Sequence, residues 1–274
     1  MATEKWLIDS AKTIDFELVR RLKVSLVGGQ VDIVAHDEPG ARVEIHDVRG
    51  KPIRVEINGD SLEVDHPQLR WENFLDVFRS FSGSAKARIS ILVPRDVALN
   101  FGVVSADALI SGITEDAKVS TVSGDVVIDG VYGDLELNSV SGEIAVRNHY
   151  GNVTAKSVSG DLTASGEILK LVSNTVSGDA FLDLRGIPDE VRVRTVSGDV
   201  TMRLEHGVPA QYKINTVSGT LQLDDSQISG VRGGYTGKHG DLHERWVEFS
   251  ATTVSGDVVV MHSNAASVAN GGAA

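Results

Sequence analysis

The tripeptide Val-Ser-Gly occurs seven times in this chain, starting at Val122, Val140, Val158, Val176, Val196, Val217 and Val254. The successive intervals are 18, 18, 18, 20, 21 and 37 residues, and a near match, Val104-Ser105-Ala106-Asp107, extends the 18-residue step backward. A hydroxylated residue precedes every Val: Thr121, Ser139, Ser157, Thr175, Thr195, Thr216 and Thr253. An acid follows every Gly except at Thr220. Self-similarity at a fixed short period means that each period is one supersecondary unit that buries its apolar face only by stacking on its neighbours.

Within the period of 18 lies a finer one of nine. Residues 122–130 read Val-Ser-Gly-Asp-Val-Val-Ile-Asp-Gly and residues 131–139 read Val-Tyr-Gly-Asp-Leu-Glu-Leu-Asn-Ser, with positions one, three, five and seven apolar or glycine. Alternation with period two predicts strands. Two apolar columns follow: Val126, Ile144, Leu162, Ala180, Val200, Leu221 and Val258; and Ile128, Val146, Ala164, Leu182, Met202, Leu223 and Val260. The expected fold is all-β, a parallel β-helix (β-solenoid) of 18-residue, two-strand coils stacked about 4.8 Å apart. Glycine at position three either takes backbone angles closed to other residues or admits a close approach across a narrow core, while its flanking serine and acid point outward. The interval of 37 either hides a degenerate coil at Tyr235-Thr236-Gly237 or contains an excursion. Because Lys238–His243 lacks alternation, we read a Gly-rich loop from about Gly230 to Arg245, with a strand resuming at Trp246.

Three regions follow from the pattern. Residues 1–100 are a β-rich region with strands at 23–27, 30–34, 42–46, 53–57 and 87–93, separated by turn signals at Asp37–Gly40 and Asn58–Asp60. They serve as a cap for the first coil, whose edge would otherwise stay open. Residues 101–262 are the solenoid repeats, and 263–274, made only of Ser, Asn, Ala, Val and Gly, read as a disordered tail. One stretch of the first region, 69–82, breaks the strand pattern: Trp71, Phe74 and Phe78 follow helical spacing, with Phe81 close behind. These four aromatics form the candidate interaction site. Two readings stand, a plug on the first coil or a stripe docking a partner or membrane surface.

The Thr-Val-Ser-Gly-Asp coils, preceded by Ile91-Leu92-Val93-Pro94-Arg95-Asp96-Val97, resemble the bacterial putative-adhesin family of β-strand repeats, or toastrack domains, across roughly residues 20–262. The resemblance implies a right-handed β-helix, a setting at the cell envelope or in envelope-stress modules, and no catalytic residues.

Composition narrows the function. A net charge of −12 argues against nucleic acid as a partner, because phosphate binding needs a basic face. With no cysteine, thiolate catalysis and cysteine-ligated zinc are excluded. The charged N-terminus lacks a signal peptide's apolar stretch and no window is long enough for a membrane span, so a cytoplasmic location, peripheral to the envelope at most, is expected. The acid column Asp107, Asp125, Glu143, Asp161, Asp179, Asp199 and Asp257 reads as turn residues bonding their own backbone; a cation ladder is the rival. Lys156, Lys170, Arg192, Arg194 and Lys213 form an outward basic set that would align molecules side by side or simply be solvated. His239, Asp241, His243 and Glu244 lie in a non-helical Gly-rich stretch, where the i, i+4 spacing of the histidines does not make a zinc motif. No catalytic, metal or cofactor site is therefore expected. The chain reads as a non-enzymatic structural or interaction module whose partner is a protein or a second copy. The alternatives are a carbohydrate-active β-helix enzyme and a polymerising cytoskeletal solenoid.

Overall fold

Alternating apolar residues commit the chain to strands, and in the computed structural model the described residues form twenty-two strands and no helix. The structure describes residues 3–67, 85–224, 226–228 and 233–263. They fall into two units, Met1–Ile144 and Ala145–Ala274. Unit 1 contains β1 (Thr3–Ile8), β2 (Lys12–Phe16), β3 (Arg21–His36), β4 (Ala41–Arg49), β5 (Ile53–Asn58), β6 (Ser61–Asp65), β7 (Lys86–Pro94), β8 (Ala98–Ser111), β9 (Ala117–Thr121), β10 (Val126–Asp129) and β11 (Leu135–Ser139). β12 (Ile144–Ser159) opens at the boundary. Unit 2 continues with β13 (Leu162–Ser177), β14 (Ala180–Leu184), β15 (Glu190–Arg194), β16 (Val200–Leu204), β17 (Ala210–Ser218), β18 (Leu221–Leu223), β19 (Ser226–Ile228), β20 (Gly233–His239), β21 (Val247–Ser255) and β22 (Val258–His262).

In unit 1 the strands stack as two parallel ladders. The first half of β3 lies between β6 and the first half of β8, and β9 and β11 follow. Its second half lies between β7 and the second half of β8, with β10 next. Beyond β6 and β7 the pairing turns antiparallel, through β5 and β1 on one ladder and β4 and β2 on the other. The expected cap is thus an antiparallel extension of both ladders. Its innermost coil, β3, precedes in sequence the strands β6 and β7 that lie outside it.

Unit 2 shows the same device in its own ladders. The parallel order of one ladder is β13, β15, β21, β17, and of the other β13, β14, β16, β22, β18. The last coil in sequence, residues 247–262, is therefore inserted between the coil of β15–β16 and the coil of β17–β18. Two antiparallel strands finish the ladders, β20 against β17 and β19 against β18. This insertion explains the interval of 37: the chain lays down the outermost coil first and then returns beneath it. It also corrects the expectation of a loop over 230–245, because Gly233–His239 is a strand. Its inward side, at Tyr235, Gly237 and His239, is only half-buried, so no apolar alternation marks this outermost strand in the sequence.

Inside the coils the two apolar columns are buried as expected, except that Leu223 is half-buried. Thr121, Ser139, Thr195, Thr216 and Thr253 are buried as well. In unit 1 these hydroxyls close the turn from within: Thr121 Oγ1 donates to the Gly124 carbonyl at 2.8 Å and Ser139 Oγ to that of Gly142 at 2.7 Å. At Gly198, φ is +145° and a Cβ would stand 2.1 Å from the carbonyl oxygen of Gly178. Only glycine fits, and what it admits is the adjacent coil rather than a facing strand.

Candidate functional site

Each repeated aspartate accepts a hydrogen bond from the coil stacked on it. In unit 2, Asp179 N donates to Asp161 Oδ1 at 2.8 Å, Asp199 N to Asp179 Oδ1 at 2.8 Å, Asp257 N to Asp199 Oδ1 at 2.7 Å and Thr220 N to Asp257 Oδ1 at 2.6 Å. Unit 1 repeats this at Asp107–Asp125–Glu143, with bonds of 3.2 and 3.0 Å. The aspartates therefore do not bond their own backbone, as the turn reading expected; each of their carboxylates secures the neighbouring coil's amide. Thr220 is the exception because its coil is the last parallel one, so no later coil presents an amide to a side chain there.

The motif valines divide between the units. Val122 is buried, whereas Val158, Val176, Val196, Val254 and Val217 are 47–67% exposed and stack in that order. In these coils the chain turns its hydroxyl residue inward and its valine outward. The inward valine expected from the nine-residue alternation fails here, because the alternation of the preceding strand runs on through the motif: Tyr212, Ile214 and Thr216 of β17 face inward, so Val217 faces outward. On one side of this column stand the exposed Asp161, Asp179, Asp199 and Asp257; on the other are Lys156 and Arg194, with Lys213 further along. Two of the expected basic residues are otherwise engaged, since Lys170 at 2.8 Å and Arg192 both pair with Glu190. The bond from Lys170 is the main reason the Glu190 carboxyl is held below its ordinary range.

Where the inserted coil ends, three distant residues meet. Asp224 follows β18 in a left-handed conformation (φ 49°), His239 ends β20 and His262 ends β22. His262 Nδ1 lies 3.0 Å from both Asp224 carboxylate oxygens, and its Nε2 lies 3.0 Å from the Val208 carbonyl oxygen. The Asp224 carboxylate also accepts from His262 N at 2.7 Å. His239 Nδ1 is 3.4 Å from Asp224 Oδ2, and its ring stacks on His262 with centroids 3.9 Å apart and planes at 15°. Burial, then the charge of His262, pushes the His239 imidazole below its usual value, against the pull of Asp224. Tyr212 lies buried in β17, its hydroxyl without a hydrogen-bond partner. Burial first, and then the charge of Asp224, raises that hydroxyl well above the ordinary tyrosine range.

Sequence reasoning weighed His239 only with its neighbours. Asp241 and His243 pair with each other at 3.2 Å in solvent, turned away after Gly240 (φ +68°). Asp224 and His262 carried no motif, being 15 and 23 residues from His239. Trp71, Phe74, Phe78 and Phe81 lie outside the described residues. A shallow cleft is lined by Asp189, Glu244, Arg245, Trp246 and Glu248. Its Asp189 carboxylate accepts from Arg245 Nη2 at 2.9 Å, which holds this acid in an ion pair.

Stacked two-strand coils, glycines under the turns and aspartates on the next coil's amide recur in both units. A family model for toastrack DUF4097 matches residues 19–261. The chain belongs to the toastrack DUF4097 family. Solved structures with a similar course include a putative adhesin from Bacteroides fragilis, 13% identical, covering 92% of this chain and 97% of that one at a TM-score of 0.47. A putative lipid binding protein from Parabacteroides distasonis is 13% identical, with 91% and 97% covered and a TM-score of 0.46. A putative cell adhesion protein from Clostridium sporogenes is 13% identical, with 93% and 100% covered and a TM-score of 0.34. Among curated proteins nothing matches the chain. Among the described residues of this toastrack protein, no helix is long and apolar enough to cross a membrane.

Proposed function

We propose that this toastrack chain is a non-enzymatic interaction module that joins a second copy of itself through the valine column of unit 2. The supporting observation is the self-complementary order of that surface: acids, then half-exposed valines, then Lys156, Arg194 and Lys213. A two-fold rotation sets valines against valines and acids against bases, the requirement for an isologous interface. The repeated acids serve coil stacking, and the repeat supplies no nucleophile beside a base, which supports a binding role over catalysis. Adhesin-like assembly at the cell envelope is the role this gives the chain.

Sedimentation equilibrium on the wild type and a Val176→Asp, Val196→Asp double variant tests the reading. A concentration-dependent dimer is expected for the wild type and a monomer for the variant. Because both sites are half-exposed, each substitution should change stability by no more than about 0.5–1 kcal/mol. A wild type that stays monomeric at high micromolar concentration, or a variant that still dimerises, overturns it.

A further inference from the structure

The Asp224–His239–His262 cluster has the donors, spacing and support of a metal centre. Among the described residues it is the one group of three metal-ligating side chains, with one ligand atom from each lying within 4.8 Å of the others. Ligands about 2.0–2.1 Å from a tetrahedral zinc ion lie about 3.3 Å from one another. Here His239 Nδ1 is 3.4 Å and His262 Nδ1 3.0 Å from the Asp224 carboxylate. The stacked rings hold their lone pairs side by side, so coordination by both needs the more exposed His239 ring to turn out of the stack toward the carboxylate.

Hydrogen bonding points the same way. The His262 side chain is 6% exposed, and both of its ring nitrogens face oxygen acceptors. A neutral imidazole satisfies one of them. With the proton on Nε2, bonded to the Val208 carbonyl, the Nδ1 lone pair faces the Asp224 carboxylate, and either a second proton or a metal ion must be shared between them. A backbone carbonyl on the far nitrogen is the usual outer partner of a metal-bound histidine, fixing its tautomer and ring plane. The Asp224 carboxylate is likewise oriented, by the amide of His262 at 2.7 Å. His239 and Asp224 are 38% and 33% exposed, which leaves a way in for an ion and room for water as a further ligand.

We propose that Asp224, His239 and His262 bind a divalent ion of the first transition row, of the zinc type, and that this ion fastens the inserted coil. Two imidazoles and one carboxylate favour such an ion over calcium or magnesium, which take oxygen ligands. The ligands come from the ends of the outermost coil, the antiparallel strand over it and the coil threaded beneath. One ion therefore ties together the three segments whose order in space differs from their order in sequence. Binding is coupled to the folded arrangement, because the unfolded chain holds these residues far apart.

The test uses the tag-free full chain, stripped with chelator. Titration with Zn(II) by calorimetry should give one site per chain, and Co(II) should give the visible absorption bands of a four-coordinate N/O site. Zn(II) should raise the melting temperature, and chelator should reverse the rise. His239→Ala, at a partly exposed position, should keep the β-sheet circular dichroism and lose at least tenfold in Zn(II) affinity. His243→Ala should bind as the wild type does. Absence of Zn(II) and Co(II) binding by the wild type overturns the proposal and leaves an imidazolium–carboxylate pair. Undiminished affinity in folded His239→Ala also overturns it.

Discussion

The backbone amide of Asp257 donates to Oδ1 of Asp199 at 2.7 Å, although 58 residues separate them. The residue 21 positions further on from Asp199, where the repeat would place the next coil, is Thr220. Its amide bonds instead to Asp257, at 2.6 Å. The acid column thus records the spatial order of the coils, with the last one inserted, and each link holds one neighbour in place.

That link sets the first expectation. Asp199→Ala removes the charged acceptor of one backbone amide at an exposed turn, and should cost about 1–2 kcal/mol in denaturant unfolding. Asp199→Asn keeps an acceptor oxygen and should recover most of the loss. Thr220→Asp adds a carboxylate where no further parallel coil offers an amide, so its effect should stay within about 0.5 kcal/mol. An equal gain at Thr220 would show that these acids stabilise the turn locally rather than between coils.

Glycine is required for a different reason. In Gly198→Ala the new methyl group meets a backbone carbonyl at 2.1 Å and a φ of +145° disfavours any side chain. Backbone cannot swing aside as a side chain would, so the cost should exceed about 2 kcal/mol. Ser197→Ala, one residue away and exposed, should stay within about 0.5–1 kcal/mol. Chemical denaturation midpoints of the two variants compare them directly, and similar shifts would contradict the close coil contact.

His66 makes unit 1 sensitive to acid. It is buried, its Nδ1 accepts from Val27 N at 3.2 Å, and its Nε2 has no hydrogen-bond partner. Burial, with a smaller effect from the charge of Lys51, lowers its pKa from 6.5 to about 4. The unfolded chain therefore binds this proton between about pH 6.5 and 4 while the folded chain does not. Stability from this residue is complete above pH 6.5 and falls as pH drops toward 4, by about 3 kcal/mol in total. His66→Asn, whose amide oxygen can take the Nδ1 position, should flatten the pH dependence of the melting temperature in that interval. A slope equal to that of the wild type would assign the acid sensitivity to the carboxylates.

Much of this architecture is legible in the chain because its causes are local or periodic. Alternation fixes which residues of a strand face inward, so Val200 and Met202 are buried as their positions predict. The interval of 18 fixes the coil length, and a glycine at every turn signals a close approach. The serines before those glycines point outward, as read from the pattern. Turn signals at Asn58–Asp60 separate β5 from β6. Counting in nines from the motif valine puts Val196 inward, whereas the alternation of the strand before it, with Val191, Val193 and Thr195 buried, puts it outward.

Coil order is what only the tertiary structure decided. Coils of one register and one cross-section are nearly interchangeable as neighbours: Val200 is matched in register with Ala180 on one side and Val258 on the other, and Leu221 packs beyond Val258. A repeat pattern therefore specifies that coils stack without specifying which two touch. Thr220 and the interval of 37 were its only traces of the exchange. Because the exchange brings Asp224, His239 and His262 within ligating distance, no spacing between them could announce the site. Their proximity is a product of threading, and threading is a long-range property that local sequence does not encode.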